Sequence, residues 1–422
     1  MARYDSYKPS QIPWLNDIPS HWERKTLSQL TSEHKMSNKG VNHQNLLSLS
    51  YGRIVRKDIN KTDGLLPASF EGYQIIEPGN IVLRLTDLQN DQKSLRVGLC
   101  HEEGIVTSAY VAIEPKPQYN PEYLYLLLHS YDILKVFYSM GGGIRQGLNY
   151  QRLSKIGVLL PPLEEQTKIV DFLSKKTALI ESQQQERERE IQLLNELKQA
   201  EIANVVTKGV NPDVPMKDSG ISWIGHIPEH WSVKYIFQFA KEHNISNKNI
   251  HHQNLLSLSY GKIIRKDINT TDGLLPESFD TYQVVEPGNI ILRLTDLQND
   301  HKSLRVGLVN EEGIITSAYV CLEIHTDFLP SYLYNLLHSY DLKKVFYSMG
   351  GGLRQNLNYQ GLRKLEIILP PIEEQKAIVE YIRKKNSAID DMIANLRAEI
   401  DFLTEYKQRL IADAVTGQIK ID

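Results

Sequence analysis

From Asn45 to Val55 the chain reads NLLSLSYGRIV, an apolar/small-polar alternation that predicts a half-buried strand. YQIIEPGNIVLRL, starting at Tyr73, predicts two short strands interrupted at Pro78-Gly79, a dipeptide suited to a turn. GIVTSAYVAI, from Gly104, predicts a further β-branched strand ending before Pro115. The period then lengthens. In PEYLYLLLHSYDILKVFYSM, residues Leu124, Leu127, Leu128, Tyr131, Leu134 and Phe137 share one helical face, with Pro121 at the start. Gly141-Gly142-Gly143 would stop that helix. KIGVLL follows as another strand, so this region is mixed α/β with strands dominating.

A different pattern begins at Pro161-Pro162-Leu163-Glu164-Glu165-Gln166. A proline entry with acidic residues in the first turn marks a helix start, and no Gly or Pro follows until Gly209. Apolar residues recur near heptad spacing at Ile169, Leu173, Ile180, Ile191, Leu194 and Ile202. Ile378, Ile382, Ile389, Ile393, Leu396, Ile400, Leu403 and Leu410 do the same further on. Both stretches predict long amphipathic helices suited to coiled-coil packing. The polar run Ser182 to Glu190 breaks the first seam and reads as a solvated face or as a docking surface.

These patterns occur twice. A shift of 209 positions aligns Trp14 with Trp223, Trp22 with Trp231, Tyr51 with Tyr260, Arg145 with Arg354 and Gln166 with Gln375, without gaps. The agreement is uneven. From His43 to Val111 the copies differ at 13 of 69 positions, whereas from Thr167 to Lys208 only 15 of 42 agree. Sequence exchange between the copies would produce this. So would a requirement that both central regions do one job while the helices diverge.

The order of segments constrains their arrangement. The first helix leaves the first domain for the second, so a second helix pairing along it must run back. The pair is therefore expected to be antiparallel, with equivalent domains related by a pseudo-twofold. Two equivalent readers related in this way suit a duplex with inverted half-sites. A helix of about 42 residues would be roughly 63 Å long, a ruler of one and a half to two B-DNA turns.

Composition narrows the picture. The net charge is −3, so any DNA-binding face must come from local arrangement or from a partner. Between His43 and Val111 there are seven basic and eight acidic residues, which agrees. No apolar run spans a membrane, the N-terminus has no secretory pattern, and two cysteines, Cys100 and Cys321, give no disulfide framework; a cytoplasmic protein is expected.

The candidates for DNA contact lie in three segments. LRLTDLQNDQKSLRVG offers Arg84, Thr86, Asp87, Gln89, Asn90, Lys93 and Arg96, repeated as Arg293, Thr295, Asp296, Gln298, Asn299, Lys302 and Arg305. Arg can read guanine, Gln and Asn adenine, and Asp cytosine; a solvated turn would have the same composition. Arg53, Arg56 and Lys57, with Lys262, Arg265 and Lys266, suit phosphate contact or a plain exposed strand. The Gly-rich loop to Tyr150 adds Arg145, Gln146 and Asn149, with Arg354 and Gln355 in the second copy; its free amides could meet phosphate, or it could simply end a helix.

No catalytic residue, metal ligand or cofactor site is expected. The chain has no GxxxxGK[ST] loop, no Asn/Asp-Pro-Pro-aromatic tetrapeptide and no His/Cys metal spacing. Cys100 aligns with Val309 and Cys321 with Ala112, interchangeable small apolar positions as core cysteines would occupy.

The runs LLPPLEEQTKIVDFL and ILPPIEEQKAIVEYI resemble a hallmark of type I restriction-modification specificity subunits. The openings IPWLNDIPSHW and ISWIGHIPEHW, and the segments GGGIRQGLNYQRLSKI and GGGLRQNLNYQGLRKL, resemble that family too. The resemblance implies an α+β fold: two similar target-recognition domains at 1–160 and 209–369, and antiparallel coiled-coil helices at 161–208 and 370–417, with a tail at 418–422. It also implies double-stranded DNA and two methyltransferase subunits as partners, and allows two restriction subunits that supply translocation and cleavage. Members of the family commonly carry two dissimilar recognition domains. Near-identical ones here predict a bipartite palindrome. The alternative is a non-catalytic twin-domain scaffold that binds proteins, which would account for the negative charge unaided.

Overall fold

The computed structural model describes residues 2–40, 43–59, 67, 69–91, 95–140, 147–249, 252–268, 278–300, 304–325, 328–349 and 356–421. The chain divides into two compact units, one of Met1–Arg187 with Arg397–Asp422 and one of Glu188–Leu396. Each unit therefore contains part of both long helices.

In the first unit, besides a short antiparallel pair Tyr7–Lys8 and Ile18–Pro19, the strands are β1 (Glu23–Thr26), β2 (Thr31–His34), β3 (Met36–Ser37), β4 (Leu47–Ser50), β5 (Arg53–Arg56), β6 (Tyr73–Ile76), β7 (Ile81–Leu83), β8 (Val97–Leu99), β9 (Gly104–Thr107), β10 (Val111–Pro115) and β11 (Gly157–Leu160). An antiparallel sheet of order β8-β7-β10-β2 stands beside a smaller one of order β9-β6-β3, while β4 pairs β5 and β11 pairs β1. The four-stranded sheet is buried on both faces, which is why Ile81, Val82 and Leu83 are apolar without alternation. Ile81 and Leu83 join the main core with Leu124, Leu127, Leu128 and Tyr131 of helix α1 (Pro121–Ile133). Val82, Cys100 and Ala112 join a second core with Leu47, Ile76 and Val106. Each such Val, Leu or Ile contributes about 1.5–3 kcal/mol by burial.

Three local expectations change. NLLSLSYGRIV is a hairpin, not one strand: Ser50 pairs with Arg53 across a two-residue Tyr51-Gly52 turn. GIVTSAYVAI is two strands in different sheets, parted by a turn in which the Tyr110 amide donates to the Thr107 carbonyl at 3.1 Å. Helix α1 ends at Ile133 because Lys135 takes a left-handed φ of 60°, and Val136–Ser139 continues as a 3-10 turn. Pro121 does open it, with the Asn120 side chain accepting from the Glu122 and Tyr123 amides.

The first long helix, α2, spans Leu163–Lys208. The second unit repeats the sheets of the first, with Lys262–Arg265 in the place of β5 and Pro330–Leu342 as helix α3. The second long helix, α4, spans Ile372–Val415. The two run antiparallel wherever they meet. In the first unit Glu181, Gln184 and Arg187 meet Lys407, Thr404 and Glu399 in descending order, at 2.5–2.8 Å. In the second unit Lys198 meets Asp390 at 2.7 Å and Glu201 accepts from Tyr381 at 3.2 Å. Ile169, Leu173 and Ile180 are buried against Leu410, Ile411 and Ala414; Ile202 and Val205 pack with Ile378 and Ile382. The polar run in α2 is thus not merely a solvated face: its Gln184 and Arg187, following Glu181, form a polar continuation of the seam.

The Pro-Pro-x-Glu-Glu-Gln segment seats each helix on its domain. The Glu165 carboxylate accepts from the buried Trp22 indole at 3.1 Å, from Tyr4, and binds His21 at 2.8 Å. The buried Gln166 amide donates to the Pro161 carbonyl at 2.8 Å and accepts from the Asn120 amide at 3.2 Å. Glu374 and Gln375 repeat these contacts with Trp231, His230, Pro370 and Leu329. The Tyr123 hydroxyl lies 3.2 Å from the carbonyls of both Leu159 and Val415, so one residue holds a strand end and the arriving α4.

Candidate nucleic-acid interface

The β7–β8 loop is organised from within by Arg96. Its side chain is fully buried, and its guanidinium donates to the carbonyls of Arg84 at 3.1 Å, Thr86 at 2.8 Å, Asp87 at 3.3 Å and Asp91. Nε donates to the Tyr138 hydroxyl at 3.0 Å, and the guanidinium lies over that ring. Arg305 does the same with Arg293, Thr295, Asp296, Asp300 and Tyr347. Arg96 and Arg305 are therefore corrected from DNA contacts to internal supports: no donor on a fully buried guanidinium bonded to four carbonyls can reach a base. The Asp132 carboxylate accepts from the Arg96 amide, and burial raises its pKa to about 6.

This support fixes what the loop presents. Leu85 and Leu88 point into the core, leaving Thr86, Gln89 and Asn90 exposed. Gln298 and Asn299 are exposed likewise, while Thr295 is half-buried. Asp87 and Asp296 adopt left-handed φ of 55° and 54° and accept from Asn90 and Asn299 at 2.7 and 2.8 Å. Arg84 and Arg293, both half-buried, lie 3.6 and 3.5 Å from Asp91 and Asp300. Lys93, Lys302, Arg145, Gln146, Arg354 and Gln355 lie outside the described residues. Asn149 caps a one-turn helix, its side-chain Oδ1 accepting from the Arg152 amide at 3.1 Å.

The β4–β5 hairpin carries the second group of cations. It packs flat on the main sheet because Gly98 lacks a side chain: a Cβ there would stand 2.6 Å from Leu49 Cδ1. Arg53 pairs with Glu181 at 2.6 Å, and Arg56 meets Glu102 through Nε and Nη2, at 2.6–2.9 Å. The Arg56 guanidinium holds the Glu102 carboxyl below its usual range. Arg265 and Glu311 repeat the pair. Lys262 and the side chains of Lys57 and Lys266 are exposed. A phosphate approaching Arg56 must compete with a carboxylate. Replacing Glu102 and Glu311 with glutamine is therefore expected to tighten non-specific DNA binding. It should also steepen the slope of log K against log salt by about 1 per arginine released. A titration series in salt checks this; an unchanged slope means Arg56 and Arg265 do not meet phosphate.

A groove of about 860 Å³ in the first unit adds residues that sequence reasoning passed over. It brings Thr86 together with Lys35, Ser108, Asn149 and Arg152. Lys35 and Arg152 correspond to Asn244 and Gly361 in the second copy. Residues shared by the copies do not include these two; their signal in the sequence is the opposite, a charge present in only one copy.

The family model described as "Type I restriction modification DNA specificity domain" matches residues 99–193 and again 305–401. The type I restriction enzyme MjaVIII specificity subunit of Methanocaldococcus jannaschii is 25% identical over 340 residues, covering 76% of this chain and 75% of that protein. A second protein of the same organism, named for the MjaX type I restriction enzyme specificity subunit, is 27% identical over 319 residues, covering 72% and 70%. A solved chain described as "Structural basis underlying complex assembly and conformational transition of the type I R-M system" superposes with a TM-score of 0.64 at 15% identity. The alignment covers 95% of this chain and 99% of that one, and so shows a shared fold.

Proposed function

From the premise that this chain belongs to the type I restriction-modification DNA-specificity family, we propose that its two units read one DNA half-site twice, in inverted order. The chain is a specificity subunit of a type I system. The observation that carries the palindrome is the near-identity of the central regions, 13 differences in 69 positions, together with the same loop architecture around Arg96 and Arg305. Two loops built alike, offering Gln89 and Asn90 or Gln298 and Asn299, present one set of donors and acceptors. The antiparallel contact of α2 and α4 within each unit favours inverted order over direct repetition.

In this reading 1–160 and 209–369 are the recognition domains, and 161–208 and 370–417 the helical regions. Thr86, Gln89 and Asn90 with their counterparts meet base edges, while Arg53, Arg56, Lys57, Lys262, Arg265 and Lys266 meet phosphates. Two methyltransferase subunits bind the assembly, with two restriction subunits joining where the system cleaves; the chain itself performs no chemistry and works in the cytoplasm. Mapping methylated positions in DNA exposed to the reconstituted complex is expected to return one half-site, inverted around an unspecified spacer. Two unrelated half-sites would refute the palindrome and point to groove residues that differ between copies, Lys35 and Arg152 first.

A further inference from the structure

The hairpin turn Tyr51-Gly52 has both residues left-handed, with φ of 46° and 77°; Tyr260 and Gly261 repeat it at 45° and 76°. A two-residue turn of this kind favours Asn, Asp or Gly at its first position, and an aromatic side chain there is strained. Packing does not repay the strain. Tyr51 is 81% exposed and Tyr260 82%, the largest exposures among the big apolar side chains of the described residues. Strain without burial is found where a side chain is held out for use.

The turn that carries the ring is anchored through its backbone. The Tyr125 hydroxyl donates to the Gly52 carbonyl at 3.2 Å, and Tyr334 to that of Gly261 at 3.1 Å. A Cβ on Gly52 would stand 3.2 Å from Leu95 Cβ and 3.3 Å from His129 Cε1, so the turn is seated on the domain body. Arg53, Arg56 and Lys57 follow directly on the same hairpin, all exposed. A neutral planar ring on an anchored turn beside cations matches a nucleobase next to its phosphates: the cations take the backbone and the ring takes a base face.

We propose that Tyr51 and Tyr260 are aromatic wedges that stack on a base at an opened step of each DNA half-site. This deepens the DNA reading above and rests on it. A protein partner would also be drawn to an exposed tyrosine. The flanking cations favour DNA.

The test uses the full chain assembled with its methyltransferase, carrying Tyr51→Asn with Tyr260→Asn, or Tyr51→Trp with Tyr260→Trp. Asparagine tolerates a left-handed φ, so the first variant is expected to fold with a Tm no lower than the parent. DNA duplexes bear 2-aminopurine at successive positions. The parent complex should raise emission at one step per half-site, and the asparagine variant should leave it at the duplex level. Affinity should fall on the order of ten- to hundred-fold per ring, while the salt slope stays unchanged because no charge is lost. Tryptophan should restore both readouts. Unchanged emission and affinity in the asparagine variant overturn the wedge while leaving the DNA reading intact. Loss of methyltransferase assembly in that variant also overturns it, assigning the ring to a protein contact. A parent complex that binds no DNA overturns the DNA reading itself and the wedge with it.

Discussion

Arg96→Ala is expected to destabilise the first unit by about 3–5 kcal/mol, and Arg305→Ala the second by as much. Truncation leaves a void and removes the guanidinium donors from the carbonyls of Arg84, Thr86, Asp87 and Asp91, of which Asp87 keeps the Asp91 amide and Asp91 the Tyr138 hydroxyl, both at 3.4 Å. Each buried acceptor left unsatisfied costs about 1–3 kcal/mol, with partial relief as water enters. Arg96→Lys should recover little, because one ammonium with three donors cannot replace a planar fork aimed at four oxygens. Urea denaturation of each variant measures the loss. The loop presenting Gln89 and Asn90 should lose its order in the same variants, so sequence preference fails before non-specific affinity does. A variant of normal stability with a shallower salt slope would mean that Arg96 faces phosphate after all.

Trp22→Ala comes next, at about 3–5 kcal/mol for the first unit. The indole is fully buried in the core that also contains Ile169, Leu173, Ile411 and Val415, so its removal opens a cavity where both long helices meet the domain. The change also deprives Glu165 of an indole donor at 3.1 Å. Trp22→Phe separates the two effects: it keeps most of the volume, and should cost no more than about 1.5–3 kcal/mol for a hydrogen bond to a charged group. Thermal unfolding of both variants gives the split. Equal losses would place the stability in the hydrogen bond, and no loss in either would remove Trp22 as the anchor of α2.

Much of the helical part was legible in the sequence. Pro161-Pro162 followed by Glu164 and Glu165 marks a start that the structure puts at Leu163, and Gly209 marks the end after Lys208. Such signals are local: a helix satisfies its own backbone, so capping and spacing suffice to find it. The strands were harder. Gly104 to Ile113 is uniformly β-forming, yet Gly104–Thr107 and Val111–Pro115 enter different sheets, because the partners Tyr73–Ile76 and Ile81–Leu83 lie elsewhere in the chain. Tyr51-Gly52 carries no clear turn signal, because tyrosine is an unfavourable residue at the first position of a left-handed two-residue turn.

The candidate site divided along the same line. Residue chemistry marked Gln89 and Asn90 and the hairpin cations, but it also marked Arg96, which composition cannot tell from an exposed arginine. Whether a guanidinium faces DNA or four carbonyls of its own loop depends on how β7, β8 and α1 fold around it, and on Asp132 and Tyr138 from beyond that loop.

What the sequence determined by itself was the duplication, the two helices and the polar inventory of each domain, because identity, periodicity and capping are read along the chain. Which strands pair, which arginine is internal and which tyrosine is held out in solvent were settled in three dimensions. Those outcomes depend on burial and on hydrogen bonds between residues far apart in the chain, and neither has a local signature.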